Sequence, residues 1–562
     1  MNQSLVFLDY LIFCIYFVIV TSYGCWIYLR KKKATTDTKD FFLAEGSLTW
    51  WAIGASLIAS NISAEQFIGM SGEGYFVGIA VAAYEWIAAI ALIIIAVWFI
   101  PIYLKNKIYT MPQFLKTRYN ETVALIMAVF WLFLYVFVNL TSILYLGAVA
   151  INGLVGGDSL HILMIGLAVF ALLITLGGMK VIGYTDVIQV AVLIIGGLAT
   201  IYLALTIVSE KFGMGSSAWT GFQVLMEKAP DHFNMILEKP GPDSSQEDIN
   251  KYLVLPGIAM YFAGQWIVNL NYWGCNQYIT QRALGADLQT ARTGILFAGM
   301  IKLMMPLIVM LPGIAAYVLH QHGHLPQLEG GSKDGAYSAI LGFLPSGLKG
   351  LSIAALTAAI VASLAGKLNS ISTIFTLDVY KKYLKTSADE KTMVWTGRLT
   401  VLVSMFVALV FTWEDLLGIG GEGGLTFIQK YTGFISPGVF AMFILGMFWK
   451  RTTGAAAIAG VITGFALSVL FNQFAPQLFG NETFLYTAYP NGKGGYEIPF
   501  LICMGLSFFF TMAVMIVMSL FGPKVNPKAF EIDKTMFTVK PPTLILIIAT
   551  LVMVTALYAK FW

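Results

Sequence analysis

The chain has 562 residues, 58% of them hydrophobic and only 11% charged, where a soluble domain carries roughly 25% charged residues. A mean hydropathy of +0.77 and a net charge of +4 read as an all-α polytopic membrane protein, which excludes a soluble enzyme and gives no reason to expect nucleic acid. Cys14, Cys25, Cys275 and Cys503 fall inside apolar runs, so neither a disulfide framework nor a CxxC metal site is indicated.

At about 20 apolar residues per span, fourteen transmembrane helices are expected, near 8–29, 50–72, 77–104, 123–154, 160–179, 184–209, 253–277, 290–320, 348–379, 395–417, 424–449, 453–473, 497–522 and 542–561. The first run lacks a basic leader and a small-residue cleavage site, and reads as a retained span. Odd-numbered connections carry most of the Lys and Arg, beginning with Arg30-Lys31-Lys32-Lys33. The positive-inside rule then puts those loops in the cytoplasm and both termini outside, in a multi-pass plasma (cell inner) membrane protein. The long outer connection from Glu210 to Lys251, with GPDSSQEDINK, reads as a mobile loop. His320-Gln-His-Gly-His324 is either a transition-metal loop or a solvated loop enriched in His by chance.

The second span, WWAIGASLIASNISAEQFIGMSG (50–72), places Ser60, Asn61, Ser63, Glu65 and Gln66 within seven residues. Hydrocarbon does not accept such a cluster unless it faces protein or a water-filled cavity. With Gly54, Gly69 and Gly72 it suggests a helix broken near mid-depth. The seventh span carries Asn269, Asn271 and Asn276 at similar depth and crosses in the opposite direction. Matched interrupted helices five spans apart point to two inverted five-helix repeats. The chain is therefore one transmembrane domain over 1–562. Its first repeat covers about 50–209 and its second about 253–449, with peripheral helices at about 8–29, 453–473, 497–522 and 542–561.

Glu85 and Lys302 lie inside the third and eighth spans. A central charge costs roughly 2.5–3.5 kcal/mol, so both face the interior, either as a buried pair or lining a cavity. Together with Asn61, Gln66, Asn269 and Gln429 they offer donors and acceptors that suit a neutral polyol. Tyr272-Trp273, and Tyr84 with Trp86, are either interfacial rings or platforms for a sugar face. In the ninth span Ala359, Ala362, Ser363 and Gly366 share one helical face, made for close packing or for bringing Ser363 Oγ beside carbonyls freed in the second span, an oxygen set for a hard monovalent cation. Asp186 is either a cap at a helix start or a carboxylate on a cation exit route. HExxH, GxSxG, Walker loops and filter-like repeats are missing, so neither enzyme nor channel is expected and no catalytic residues are assigned.

ASLIASNISAEQFIGMSGEGY (55–75), GGMKVIGYTDVIQ (177–189), NLNYWGCNQYITQRALGA (269–286), AAIVASLAGKLNSISTIFTLDVYKKY (358–383) and GMFWKRTTGAAAIAGVITG (446–464) resemble the sodium/solute symporter family, within it the sodium–glucose and sodium–galactose cotransporters. The resemblance runs closely from residue 5 to 475. It implies a leucine-transporter-type fold and import of glucose or galactose driven by sodium, with no organic cofactor. Partners would be the sugar, sodium and the bilayer. By that resemblance Asn61, Gln66, Glu85, Asn269, Lys302 and Gln429 hold the sugar, Tyr272 is the inner gate, and Met70, Tyr84 and Leu425 stand at outer-gate positions. Carbonyls of Ala59, Ile62 and Ala359 with the Ser363 hydroxyl hold sodium, and Asp186 lies on its exit. The chain departs from the family at Ala362 and Ala88, each a serine there, and at Leu425, a phenylalanine there. Myo-inositol, a sugar acid and a non-transporting sugar sensor are the alternatives.

Overall fold

Within a bilayer each backbone N–H and C=O must find a partner inside the protein, and a helix supplies one from its own segment. In the computed structural model, which describes residues 5–30, 38–44, 48–63, 65–155, 159–325, 328, 333–418, 429 and 432–562, the apolar runs accordingly become helices. Ten described helices are each long and apolar enough to cross, among them Phe7–Leu29, Ile79–Lys105, Met179–Lys211 and Leu348–Leu384. An eleventh is Gln246–Phe262 with Gly264–Cys275, bent by 83°. The remaining three expected spans fall on shorter pieces: Trp50–Asn61 followed by Glu65–Met70 and Ser71–Phe76, then Leu160–Thr175, then Ser436–Phe448.

Burial sorts core from periphery. The ninth span, Leu348–Leu384, is 89% buried along its most apolar window, whereas the last, Pro541–Phe561, is 11% buried and turns nearly all its surface outward. The second and eighth spans cross with backbones almost touching. A Cβ on Gly54 would lie 2.8 Å from the Gly294 carbonyl and 2.6 Å from Phe297, and one on Gly294 would lie 2.8 Å from the Trp50 carbonyl. Gly54 is therefore a packing residue, and the break in this span falls further on, at Ile62, which adopts extended φ −76°, ψ 108°.

The seventh span breaks at Asn276 (φ −93°, ψ 132°), between Gly264–Cys275 and Gln277–Leu284. Its loosened backbone is fastened from neighbouring spans. The Tyr103 hydroxyl donates to the Gly274 carbonyl at 2.7 Å, and the Gln277 amide donates to the Tyr135 hydroxyl at 3.2 Å.

The connection 210–251 is not the mobile loop expected from its composition. It holds the helix Ala218–Lys228 and the start of another, Gln246–Val254, each opened by a serine cap: the Thr220 amide donates to Ser217 Oγ at 3.3 Å and the Asp248 amide to Ser245 Oγ at 3.1 Å. The Met235 amide also donates to the Phe561 carbonyl at 2.7 Å, tying this connection to the last helix.

Candidate functional site

The break in the second span sends its polar cluster in two directions, and the third span supplies the carboxylate between them. Glu85 lies two turns into the third span, Ile79–Lys105, where the 3-10 turn Ile79–Ala82 passes directly into the helix Ala83–Ile94. Lys302 reaches it from the eighth span at 2.5 Å, with both side chains buried. The Lys302 ammonium also stands 5.2 Å from the centroid of the Trp273 ring, a cation–π distance.

From that pair a chain of amides runs back to the break. Gln66 Nε2 donates to Glu85 Oε1 at 2.9 Å and to Asn61 Oδ1 at 3.3 Å, and Asn61 Nδ2 donates to the Tyr272 hydroxyl at 3.0 Å. Asn269 Nδ2 donates to the Gln265 carbonyl one turn earlier, at 3.0 Å. All six expected sugar residues (Asn61, Gln66, Glu85, Asn269, Lys302, Gln429) line one cavity, and so do Tyr84, Tyr272 and Ala88. Its volume is about 130 Å³, well above the ~10–15 Å³ that one water requires. Amides and aromatic rings line it together, and the charges of Glu85 and Lys302 offset each other.

The residues expected to hold a cation lie beside this cavity. Ala59, Ile62, Ala359 and Ser363 are all buried. The Ser363 hydroxyl donates to the Ser60 carbonyl at 3.2 Å, an oxygen released because the helix ends within two residues of it. Ser60 was not among the ligands expected; it lies between Ala59 and Ile62, and only the exact point of the break reveals it. Lys367, one turn beyond Ser363, donates to the same hydroxyl at 2.9 Å, and its ammonium stands 4.6 Å from the Tyr278 ring centroid.

Asp186 is not a helix cap. Its helix starts two turns earlier, at Met179, after Gly178 at φ 83°. Asp186 is wholly buried, accepts a hydrogen bond from the Ser56 hydroxyl and lies 3.8 Å from Arg282 Nη2. Arg282 Nε also donates to Ser56 Oγ at 2.7 Å, so second span, sixth span and the segment after the second break meet at one buried cluster. Trp86 faces away from the cavity, stacked on Phe561 and edge-on to Tyr558. Met70 is buried outside the cavity lining, and Leu425 lies outside the described residues. Among the described residues no metal-binding group forms from His320, His322 and His324: His320 bonds the Tyr75 hydroxyl at 2.6 Å, while His322, which bonds the Val318 carbonyl at 2.9 Å, and His324 both pack on Phe212. Sequence reasoning passed over Lys367 and Arg282, although an ionisable residue inside an apolar run is itself a signal.

The family model for the sodium:solute symporter family matches residues 41–464. A sodium/glucose cotransporter of Vibrio parahaemolyticus is 41% identical over 577 aligned positions, covering 100% of this chain and 99% of that one. A sodium/myo-inositol cotransporter 2 of Mus musculus is 32% identical over 82% of this chain and 69% of its own, and a sodium/glucose cotransporter 1 of Ovis aries is 31% identical over 83% and 72%. Among solved structures, a Na+-coupled sialic acid symporter in a substrate-bound outward-open state superposes with a TM-score of 0.73 at 19% identity, covering 93% of this chain and 99% of that one. At that identity the likeness speaks to the fold alone.

Proposed function

The chain belongs to the sodium:solute symporter family, and from that premise we propose that it imports a neutral monosaccharide, glucose or galactose, together with sodium. The observation that carries the reading is the convergence of Asn61, Gln66, Glu85, Asn269, Lys302 and Gln429, from separate spans, on one cavity. An internally neutralised carboxylate–ammonium pair, extended by amides, matches a ligand with many hydroxyls and no net charge. It is a poor match for a sugar acid, because Lys302 already answers Glu85. Tyr272, which lines the cavity, is the inner gate in this reading, with Tyr84, Met70 and Leu425 on the outer side.

The ten central spans form two inverted repeats, 50–209 and 253–449, and rock about the broken helices. Sodium arrives from outside as a co-substrate and binds among the Ser60 region carbonyls, Ala359 and Ser363. Coupling requires only that it bind one conformation better than the other. At −100 mV one charge carried inward supplies about 2.3 kcal/mol, worth roughly fifty-fold in sugar accumulation. Asp186, joined to the second span through Ser56, offers the departing ion its next carboxylate.

Radiolabelled sugar uptake into proteoliposomes, under sodium, potassium and proton gradients, tests the reading. Sodium-driven glucose or galactose uptake is expected. Competition by myo-inositol alone would reassign the substrate, by sialic acid alone would point to a sugar acid, and uptake indifferent to sodium would refute the coupling. Sugar binding with no uptake or counterflow would make the protein a sensor.

A further inference from the structure

The oxygen set around Ser363 already holds a cation of the protein's own. Lys367 Nζ donates to Ser363 Oγ at 2.9 Å while the hydroxyl's proton is given to the Ser60 carbonyl at 3.2 Å, and Ser363 and Lys367 are both buried. The ammonium therefore sits on the hydroxyl lone pair that a hard cation needs. The preceding residue, Ala362, offers no second hydroxyl. Among the described residues, Arg282 and Asp186 also lie close by. A Cβ at Gly366 would lie 2.5 Å from Arg282 Nη2 and 2.8 Å from Ser60 Oγ, so the guanidinium abuts the same face of the ninth span. Arg282 also donates to the carbonyl of Tyr278, whose ring lies against Lys367. Two protein cations thus surround the site, with one buried acid, Asp186, set against Arg282.

We propose that the Lys367 ammonium is a built-in rival of sodium for the Ser363 hydroxyl, so that sodium binds only by displacing it. The inference rests on the sodium-symport reading. Displacement has a destination, because Lys367 also lines the sugar cavity. Its four-carbon stem lets a compact ammonium turn from one set of oxygens to another. With a sugar in the cavity, hydroxyl lone pairs receive the displaced ammonium, and sodium binding tightens. By linkage sodium tightens sugar binding by the same factor. The lysine thereby couples the two sites through its own charge.

The test is equilibrium binding of radioactive sodium to the purified full chain in detergent, with and without D-glucose or D-galactose. Wild type should bind sodium weakly without sugar and more tightly with it. Lys367→Met should bind sodium at least tenfold more tightly without sugar, and sugar should add nothing further. Lys367→Gln, which keeps a donor for Ser363 and removes the charge, should show the same tightening, while Lys367→Arg should stay weak. Sodium affinity within twofold of wild type in Met and Gln variants that still bind sugar overturns the proposal. Wild-type uptake indifferent to sodium refutes sodium symport separately; in that event sodium binding gained by the Met and Gln variants still upholds the rivalry, and none gained overturns it as well.

Discussion

The two sides of the broken second span differ in how their polar groups are satisfied. On the sugar side, Lys302, Glu85, Gln66, Asn61 and Tyr272 form one connected series in which each group bonds the next. On the ion side the Ser60 carbonyl, the Ser363 hydroxyl and the Lys367 ammonium are joined through a single hydroxyl, which donates to the carbonyl and accepts from the ammonium. A connected buried network holds one geometry, because breaking any link strands a desolvated group. A single hydroxyl serving a movable ammonium can change partner. The stiff side suits recognition of a sugar and the loose side suits an ion that must come and go.

The comparison breaks most visibly at Lys302. Lys302→Ala leaves Glu85 buried without its counter-charge, a loss of about 3–5 kcal/mol, and should reduce sugar binding and uptake by more than a hundredfold at saturating sodium. Gln66→Ala removes the link between Glu85 and Asn61; uptake measured at sub-saturating sugar should fall roughly ten- to a hundredfold, as for a lost hydrogen bond to a charged group. Ser363→Ala should act on the other side alone. The sodium concentration for half-maximal uptake should rise about tenfold, with sugar affinity recovered once sodium saturates; equal losses of both affinities would merge the two sides into one. Tyr272→Phe keeps the ring and loses one neutral hydrogen bond, so sugar affinity should weaken by only about two- to tenfold.

The smallest effect touches neither side. His232, in the 210–251 connection, stacks on Tyr317, and its Nε2 lies 3.0 Å from the Tyr75 carbonyl. Burial lowers its pKa below the ordinary value near 6.5. The unfolded chain then takes up the proton first, so stability should fall as pH drops through about 6.5 towards the lower folded value. Melting curves should show this shift, and His232→Gln should abolish it while leaving the sodium-to-sugar affinity ratio unchanged.

Much of the molecule was legible in the sequence because hydrocarbon imposes simple rules. Apolar length located the spans, and polar residues within them located the cavity: Glu85, Lys302 and Gln66 were each readable as groups that lipid rejects. What stayed hidden depended on backbone detail or on direction. Ser60 acts through its carbonyl, and only the turn of Ile62 into an extended conformation reveals that oxygen. Trp86 was read with Glu85, yet neighbours in sequence point to different sides of a helix. The composition of the 210–251 connection hid its two short helices, whose start signals, Ser217 and Ser245, lie among other polar residues. Lys367 lies one turn beyond Ser363 on a helix that is buried along its length, and only the fold shows that its ammonium turns back to that hydroxyl.

The last helix carries a consequence beyond its own packing. It turns almost wholly outward, yet Phe561 stacks on Trp86, the residue after Glu85, and its carbonyl holds Met235 of the 210–251 connection. A bilayer thinner than its apolar length tilts such a helix. That tilt would be transmitted through Trp86 to the start of the third span, where Glu85 meets Lys302. Sugar affinity should therefore vary with acyl-chain length in reconstituted membranes, which makes the lipid a silent participant in substrate recognition.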